Sequence, residues 1–166
     1  MSTPDIERTV RVDRPIDDAF RLFTDGIGRW WPLEHYSYGG GRSAGIHLEP
    51  WVGGRFYEQL VDGDVLQVGT VTRCDPPRSI VFTWAAPDWA AQTEVTVSFS
   101  EDADGTDVAV AHRFFDRVGP EGGELRNGFA GGWTEVLRSF ADAAGDQASS
   151  ERRSDADGWA ADDQAR

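Results

Sequence analysis

The stretch TEVTVSFSEDADGTDVAVAHRFF, residues 93–115, decides the fold because it has the pattern of two strands joined by a turn. Apolar and polar residues alternate in each half, and a period of two places alternate side chains on one face of a sheet. The apolar faces comprise Val95, Val97 and Phe99 in the first half and Val108, Val110, His112 and Phe114 in the second. The Asp- and Gly-containing segment between the two halves is typical of a turn. The stretch therefore predicts an antiparallel hairpin with one buried face.

Four strand signals precede this hairpin and follow one another at short intervals. They lie at residues 45–51, 54–61, 64–73 and 79–84. The second and third are joined by Asp62-Gly63, a dipeptide that favours tight hairpin turns. In the last of them, Trp84 shares a face with Ile80 and Phe82. The region therefore predicts a run of antiparallel strands.

Near its N-terminus the sequence predicts one strand and two short helices. The strand covers residues 6–13. Pro15 then begins a helix, since its missing N–H costs nothing at a first helical position. The apolar face of this helix consists of Ile16, Ala19, Phe20 and Phe23, at helical spacing. A second short turn carries the adjacent Trp30 and Trp31, and Pro32 ends it.

Downstream of the hairpin, apolar residues recur with the period of an amphipathic helix. They are Leu125, Phe129, Trp133, Val136, Leu137 and Phe140. This pattern predicts a long helix over residues 124–144. Short connections between consecutive strands imply an antiparallel sheet, and a long amphipathic helix can cover its apolar face. The sequence thus indicates an α+β protein with room for a cavity between helix and sheet.

The length and composition of the chain limit the number of domains and the kinds of partner that it can have. One domain is the simplest organisation for 166 residues, and we place it at residues 1–144. Residues 145–166 are polar and acidic, with Trp159 as the large apolar residue, and their composition predicts a disordered tail. The net charge of −13 argues against binding to nucleic acid and to anionic membranes.

The basic residues are all arginine. This bias is typical of a GC-rich bacterial genome, and it excludes a lysine Schiff base and a P-loop lysine. The N-terminal residues lack the basic and apolar regions of a signal peptide. No apolar run reaches the roughly 18 residues that a membrane span needs. We therefore expect a cytoplasmic protein.

Six segments in a consistent order make the sequence resemble a known family. They are RPIDDAFRLFTD, RWWP, VGGRFYE, GTVTRCDPPRSIVFTW, the hairpin stretch and GGWTEVLRSF, and together they span about residues 10–144. The chain resembles the START-like (SRPBCC) superfamily, and within it the family of the C-terminal domain of the heat-shock protein 90 ATPase activator. This resemblance implies a helix-grip fold, in which a curved antiparallel sheet of seven strands surrounds a long C-terminal helix and two short helices follow strand 1.

The resemblance also implies a cavity for a small hydrophobic ligand, and we take binding of such a ligand as the expected function. A chaperone or client protein is an alternative partner, in a stress-related co-chaperone role. The eukaryotic activator also has a separate N-terminal chaperone-binding domain, which we do not expect within these 166 residues. In the family, the segment after the short helices closes one end of the cavity. We therefore expect Trp31, restrained by Pro32, at the cavity mouth and Trp30 packed beneath the sheet rim.

Nine residues are candidates for ligand binding on these grounds. They are Trp31, Phe56, Glu58, Trp84, Phe99, His112, Phe114, Trp133 and Leu137. Plain core packing is the alternative for the tryptophans, since large aromatic side chains fill cores well. We expect no metal ion and no cofactor, because the three histidines, His35, His47 and His112, show no ligand spacing.

Glu58 and His112 leave two interpretations open. Glu58 shares a face with Phe56 and Leu60, so either this face meets solvent or the carboxylate lies in a cavity. His112 is either a hydrogen-bonded core histidine or a cavity residue. The sequence displays no evident catalytic group, but a cyclase or hydrolase that uses Glu58 and His112 as acid and base remains the enzymatic alternative.

Overall fold

Seven antiparallel strands form one curved sheet, which a long helix covers. The strands are β1 (Ile6–Val12), β2 (Ser43–Leu48), β3 (Arg55–Leu60), β4 (Val65–Asp75), β5 (Ser79–Trp84), β6 (Thr93–Asp102) and β7 (Gly105–Arg113). The helices are α1 (Ile16–Phe23), α2 (Ile27–Trp30) and α3 (Gly122–Ala156). The computed structural model describes residues 4–156, with side chains described as far as residue 145. The strand order is β1-β7-β6-β5-β4-β3-β2, and the predicted helix-grip fold is confirmed.

The β6–β7 hairpin has the predicted register and buried face, except at its end. Val97 lies opposite Val110, and Val95 lies opposite His112. The alternation stops at Phe114, which was predicted on the buried face. Strand β7 ends one residue earlier, and Phe114 adopts a left-handed backbone conformation with φ of 74°. As a result Phe115 takes the fully buried position instead.

The side chain of Phe114 therefore points away from the core. It is only half-buried, and the guanidinium carbon of Arg117 lies 3.8 Å from its ring centroid. A cation over an aromatic face is attracted by the ring quadrupole. This contact explains how a large apolar side chain is accommodated at the surface.

Helix α3 is longer than the sequence pattern predicts. It begins at Gly122 and continues to Ala156, beyond the predicted end at residue 144. The extension enters the segment that was predicted to be a disordered tail, and no proline interrupts the sequence there. Residues 157–166, including Trp159, lie outside the described residues. Of the predicted apolar face, Trp133, Val136, Leu137 and Phe140 are buried, and Leu125 and Phe129 are partly buried against the core.

The short helices fill one end of the groove between α3 and the sheet. Phe20 and Phe23 of α1 pack on Phe99 of β6, with ring centroids 5.3 and 5.9 Å apart. Phe23 also contacts Phe140 of α3 at 5.3 Å. Phe99 is thus a core residue beneath α1, at a distance along the strand from the cavity described below. Among the described residues, no helix is long and apolar enough to cross a membrane.

Gly69 of β4 provides a test of the sheet geometry. A Cβ atom at this position would lie 1.7 Å from the carbonyl oxygen of Thr83 on β5. We expect Gly69→Ala to lower the free energy of unfolding by about 1–3 kcal/mol, because a backbone contact cannot move as a side chain can. Gly131→Ala is the control, since nothing lies within 4 Å of its Cβ position, and alanine in a helix should stabilise by about 0.5–1 kcal/mol. Chemical denaturation of both variants measures the difference, and equal midpoints would contradict the prediction.

Candidate functional site

A cavity of about 260 Å³ lies between the inner face of the sheet, helix α3 and the segment that follows α2. The sheet supplies one wall from β2, β3, β4 and β5, and α3 supplies the opposite wall. Its lining residues are Trp31, His35, Tyr36, Ser37, Tyr38, Ile46, Phe56, Glu58, Val68, Trp84, Phe129, Trp133 and Val136. His35 and Tyr38 are exposed, so the segment at residues 35–38 forms the mouth.

Four aromatic rings form the apolar part of the cavity. The ring centroid of Trp31 lies 5.9 Å from that of Phe56 and 6.1 Å from that of Trp84. Trp133, on α3, stands perpendicular to Trp31 at 6.1 Å. Such edge-to-face contacts are a favourable arrangement for aromatic side chains. The four rings therefore present a rigid apolar surface to the interior of the cavity.

The adjacent tryptophans have different environments because α2 ends between them. Trp30 is the last residue of α2, whereas Trp31 has an extended backbone conformation. The Trp30 ring is 4% exposed and packs on Phe23 and Phe140 at 5.1 and 5.0 Å. Its Nε1–H donates to the Leu22 carbonyl oxygen at 2.8 Å. Trp30 is therefore a core residue, and Trp31 lines the cavity.

Glu58 forms the polar end of the cavity and holds the mouth segment. Its side chain is on the inner face of β3, and the residue is only 1% exposed. The carboxylate accepts hydrogen bonds from Ser37 Oγ at 2.6 Å, from the Tyr38 backbone N–H at 2.7 Å and from the Gly39 backbone N–H at 3.1 Å. All three donors are electrically neutral. The face that contains Phe56 and Glu58 is therefore the buried one, and the carboxylate fixes the mouth segment to the sheet.

Tyr38 connects the mouth to the aromatic wall. Its hydroxyl oxygen accepts a hydrogen bond from Trp84 Nε1 at 3.0 Å. Tyr38 as a whole is 39% exposed, but burial of its hydroxyl end raises the pKa of that hydroxyl, against an opposing effect of the Trp84 hydrogen bond, and the negative charges of Glu58 and Asp88 raise it further. Nearby, the Tyr36 hydroxyl donates to the Glu135 carboxylate of α3. These contacts join the mouth segment to both walls of the cavity.

His112 lies behind the cavity wall and does not line it. Trp133 Nε1–H donates to His112 Nδ1 at 3.0 Å, and His112 Nε2 lies 2.7 Å from Thr93 Oγ1. Since an indole N–H can only donate, the imidazole proton is on Nε2 and is donated to Thr93. The Thr93 hydroxyl in turn donates to the Trp84 carbonyl oxygen at 2.8 Å.

Every polar atom of the His112 ring therefore has a partner. The residue is 0% exposed, and burial lowers its pKa to about 3. His112 is thus a neutral core histidine that orients the Trp133 indole. The structure does not bring it together with Glu58 in the cavity, as the acid–base alternative requires.

The structure separates the nine predicted binding residues into two groups. Those that line the cavity are Trp31, Phe56, Glu58, Trp84 and Trp133. Those that do not are Phe99, His112, Phe114 and Leu137. The last of these is buried in the core, because consecutive residues on a helix point about 100° apart and Val136 takes the position that faces the cavity.

Several lining residues lay outside the predicted set. Phe129 and Val136 belong to the predicted apolar face of α3, and Phe129 precedes Trp133 by one helical turn, so helical spacing could have identified it. Tyr36, Ser37 and Tyr38 follow Trp31 closely, but no periodic pattern marks them. Within the part of the chain that the structure describes, no group of three His, Cys, Asp or Glu side chains could hold a metal ion.

Comparison with known sequences identifies one matching family. Residues 13–145 match the family described as Activator of Hsp90 ATPase homolog 1-like protein. No curated protein matches the chain. The matched region contains α1, α2, all strands after β1 and the greater part of α3.

Solved structures with the same fold include two that are 30% identical to this chain. The self-sacrificing resistance protein CalC from Micromonospora echinospora has a TM-score of 0.63, and the match covers 85% of this chain and 94% of CalC. The anthrahydroquino-gamma-pyrone synthase Txn09, solved in complex with SUM, has a TM-score of 0.59, with 85% of this chain and 97% of Txn09 covered.

A third solved structure is similar in fold alone. It is the Aha1 dimer from Colwellia psychrerythraea, at 18% identity and a TM-score of 0.62, with 86% of this chain and 96% of that chain covered. The architecture is thus shared among proteins whose names describe a resistance protein, a synthase and an Aha1 protein, so a function must be argued from the site itself.

Proposed function

The chain belongs to the family of Activator of Hsp90 ATPase homolog 1-like proteins, and on that premise we propose that it binds a small, flat hydrophobic molecule between the sheet and α3. The observation that carries this proposal is the cavity walled by Trp31, Phe56, Trp84 and Trp133. Concave, largely apolar cavities with a few convergent polar groups are the usual sites for small molecules. Here the polar groups are confined to the mouth, beside Glu58.

The size and the walls of the cavity favour an aromatic ligand. An apolar cavity of roughly 150 Å³ can hold benzene, so about 260 Å³ can hold a two-ring molecule. Aromatic rings prefer offset-stacked or edge-to-face contacts, and the four wall rings offer both. Burial of such a ligand can support micromolar affinity, about −8 kcal/mol.

The two relatives at 30% identity support a small-molecule role. One of them is a synthase in complex with SUM, and the other is a resistance protein. The site gives no support for an acid–base activity, because Glu58 lines the cavity and His112 does not. His112 has both ring nitrogens occupied by protein partners, and its lowered pKa of about 3 disfavours a second proton on the ring near neutrality.

Naphthalene binding tests the proposal. We expect saturable one-site binding to the wild-type protein, measured by titrating concentrated protein into dissolved naphthalene in a calorimeter. Trp31→Ala should weaken this binding about tenfold, equivalent to about 1.4 kcal/mol, because one wall of the cavity is lost. Trp51→Ala is the matched control, since Trp51 is 56% exposed and lies outside the cavity lining.

Two outcomes would contradict the proposal. The first is the absence of one-site binding across naphthalene and other neutral two-ring compounds. The second is an equal loss of affinity in both tryptophan variants, which would place the binding outside the cavity.

A co-chaperone role is the second candidate, and one observation favours it. Trp51 and Val52 form an adjacent exposed apolar pair in the β2–β3 turn, and exposed apolar patches are typical of protein-interaction sites. This role predicts that the protein suppresses aggregation of an unfolded client and that Trp51→Ala reduces the suppression. Ligand binding in the cavity predicts no effect of Trp51→Ala.

A further inference from the structure

We propose that the cavity selects flat aromatic molecules with a neutral hydroxyl group, held between the Tyr38 hydroxyl and the Glu58 carboxylate, and that it rejects aromatic carboxylates. This inference rests on the proposed function, because it specifies the ligand of the same cavity. It follows from the hydrogen bonds that the Tyr38 hydroxyl and the Glu58 carboxylate can still form after their bonds within the protein are counted.

The Tyr38 hydroxyl can donate a hydrogen bond to a ligand. It already accepts the N–H of Trp84 at 3.0 Å, and a phenolic group has one proton to donate in addition. No residue within the described part of the chain accepts that proton. Because Tyr38 lines the cavity, a ligand oxygen at the mouth can accept it.

The Glu58 carboxylate can accept a hydrogen bond from a ligand. Two of its hydrogen bonds are made by Oε1, from Ser37 and Gly39, and one by Oε2, from the Tyr38 backbone. An ionised carboxylate offers about four acceptor sites, so Oε2 can accept one more hydrogen bond. Glu58 also lines the cavity. The backbone N–H of Tyr38 is hydrogen-bonded to Glu58 Oε2 at 2.7 Å, and both side chains line the same cavity, so the two groups lie at the same end of it.

A hydroxyl group on the ligand satisfies both residues at once. Its oxygen accepts the proton of Tyr38, and its own proton is donated to Glu58. Hydrogen bonds to an ionised group are stronger than those between neutral groups. A bare hydrocarbon leaves both protein groups without a ligand partner, so it should bind less tightly than its hydroxylated counterpart.

An aromatic carboxylate has the opposite effect. Its negative charge would lie beside Glu58, whose three observed donors are neutral. Two carboxylates that share a site repel each other unless one takes up a proton. The net charge of −13 of the whole chain acts in the same direction.

Three matched probes and three variants test this inference by calorimetry at neutral pH. The probes are naphthalene, 2-naphthol and 2-naphthoate, and the variants are Tyr38→Phe, Glu58→Gln and Tyr57→Phe. For the wild type we expect 2-naphthol to bind about tenfold more tightly than naphthalene, and 2-naphthoate to bind more weakly than naphthalene. Tyr38→Phe should lower the affinity for 2-naphthol more than the affinity for naphthalene, so the ratio of the two affinities should fall towards one.

Glu58→Gln is expected to increase the affinity for one probe, and a variant that merely loses structure would not show such an increase. Removal of the charge should increase the affinity for 2-naphthoate relative to naphthalene, and it should reduce the advantage of 2-naphthol. Tyr57→Phe is the control, because Tyr57 is a neighbour of Glu58 on the outer face of β3, stacked on His47, and should change no ratio. If Glu58→Gln fails to fold because the mouth segment loses its anchor, Tyr38→Phe still tests the selection of a hydroxyl group. The comparison of 2-naphthoate with naphthalene on the wild type still tests the rejection of carboxylates, and tighter binding of 2-naphthoate would overturn it.

The outcomes separate this inference from the proposed function. If naphthalene does not bind to the wild type, the proposed function fails. If naphthalene binds, but 2-naphthol has no advantage or Tyr38→Phe leaves that advantage intact, the selection of hydroxylated ligands is overturned and the hydrophobic site remains.

Discussion

Replacement of Trp30 by alanine is expected to lower the free energy of unfolding by about 3–5 kcal/mol, the range for removal of a large aromatic side chain from a core. The ring packs between Phe23 of α1 and Phe140 of α3, and its N–H is paired with the Leu22 carbonyl oxygen at 2.8 Å. Its loss would leave a void where α1, α2 and α3 meet, and interiors at close-packed density relax only partly around such voids. Chemical denaturation with a two-state fit measures the change.

Trp31→Ala is the matched comparison for this experiment. Trp31 is the next residue and has the same side chain, but one side of its ring faces an existing cavity. A side chain with few partners on one side loses fewer dispersion contacts when it is removed. We therefore expect a clearly smaller loss of stability than for Trp30→Ala, together with weaker ligand binding. Equal losses in the two variants would contradict the assignment of Trp30 to the core and Trp31 to the cavity.

The strands could be predicted from the sequence because local alternation determines them. In β6 and β7 the period of two identifies the buried face, and pairs such as Val97 and Val110 then follow from antiparallel geometry. In β3 the same alternation put Phe56 and Glu58 on one face but left open whether that face is buried, and the structure buries it. A one-residue slip would expose this whole face, so the hydrophobic pattern determines the register.

The structure differs from the sequence pattern where a backbone change or another element overrides that pattern. Phe114 continues the alternation in sequence, but the strand ends before it and a left-handed residue redirects the chain. Phe99 has the inward direction that was predicted, but α1 occupies that end of the groove. The end of α3 was set where the apolar pattern stops, although the helical backbone continues to Ala156.

The mouth of the cavity could not be predicted from local pattern at all. Ser37, Tyr38 and Gly39 have no periodicity, and they are placed by hydrogen bonds to Glu58, about twenty positions later in the sequence. Such contacts depend on the folded sheet. The sequence indicated only that Glu58 would be costly to bury unless it found partners, and the backbone of this segment provides them.

Acidification is expected to destabilise the protein through His112. Burial lowers the folded-state pKa of His112 to about 3 from an ordinary value of 6.5. Between these two values only the unfolded state binds a proton at this residue. The free energy of unfolding should therefore decrease as pH falls below 6.5, by about 1.4 kcal/mol per pH unit. The full stabilisation is present above pH 6.5.

The interval from pH 7 to pH 5 isolates this effect, and the expected loss across it is about 2 kcal/mol. The pKa values of Glu49 and Asp62 are lowered from their ordinary values of 4.5 and 3.8 by hydrogen bonds, so stability that depends on them is lost only at lower pH.

His112→Gln should be less stable than the wild type at neutral pH, but its stability should be nearly independent of pH over this interval, because glutamine does not titrate. His47→Gln, at an exposed position, should retain the wild-type slope. Denaturation midpoints at several pH values provide the measurement, and an undiminished slope in His112→Gln would show that another group binds the proton.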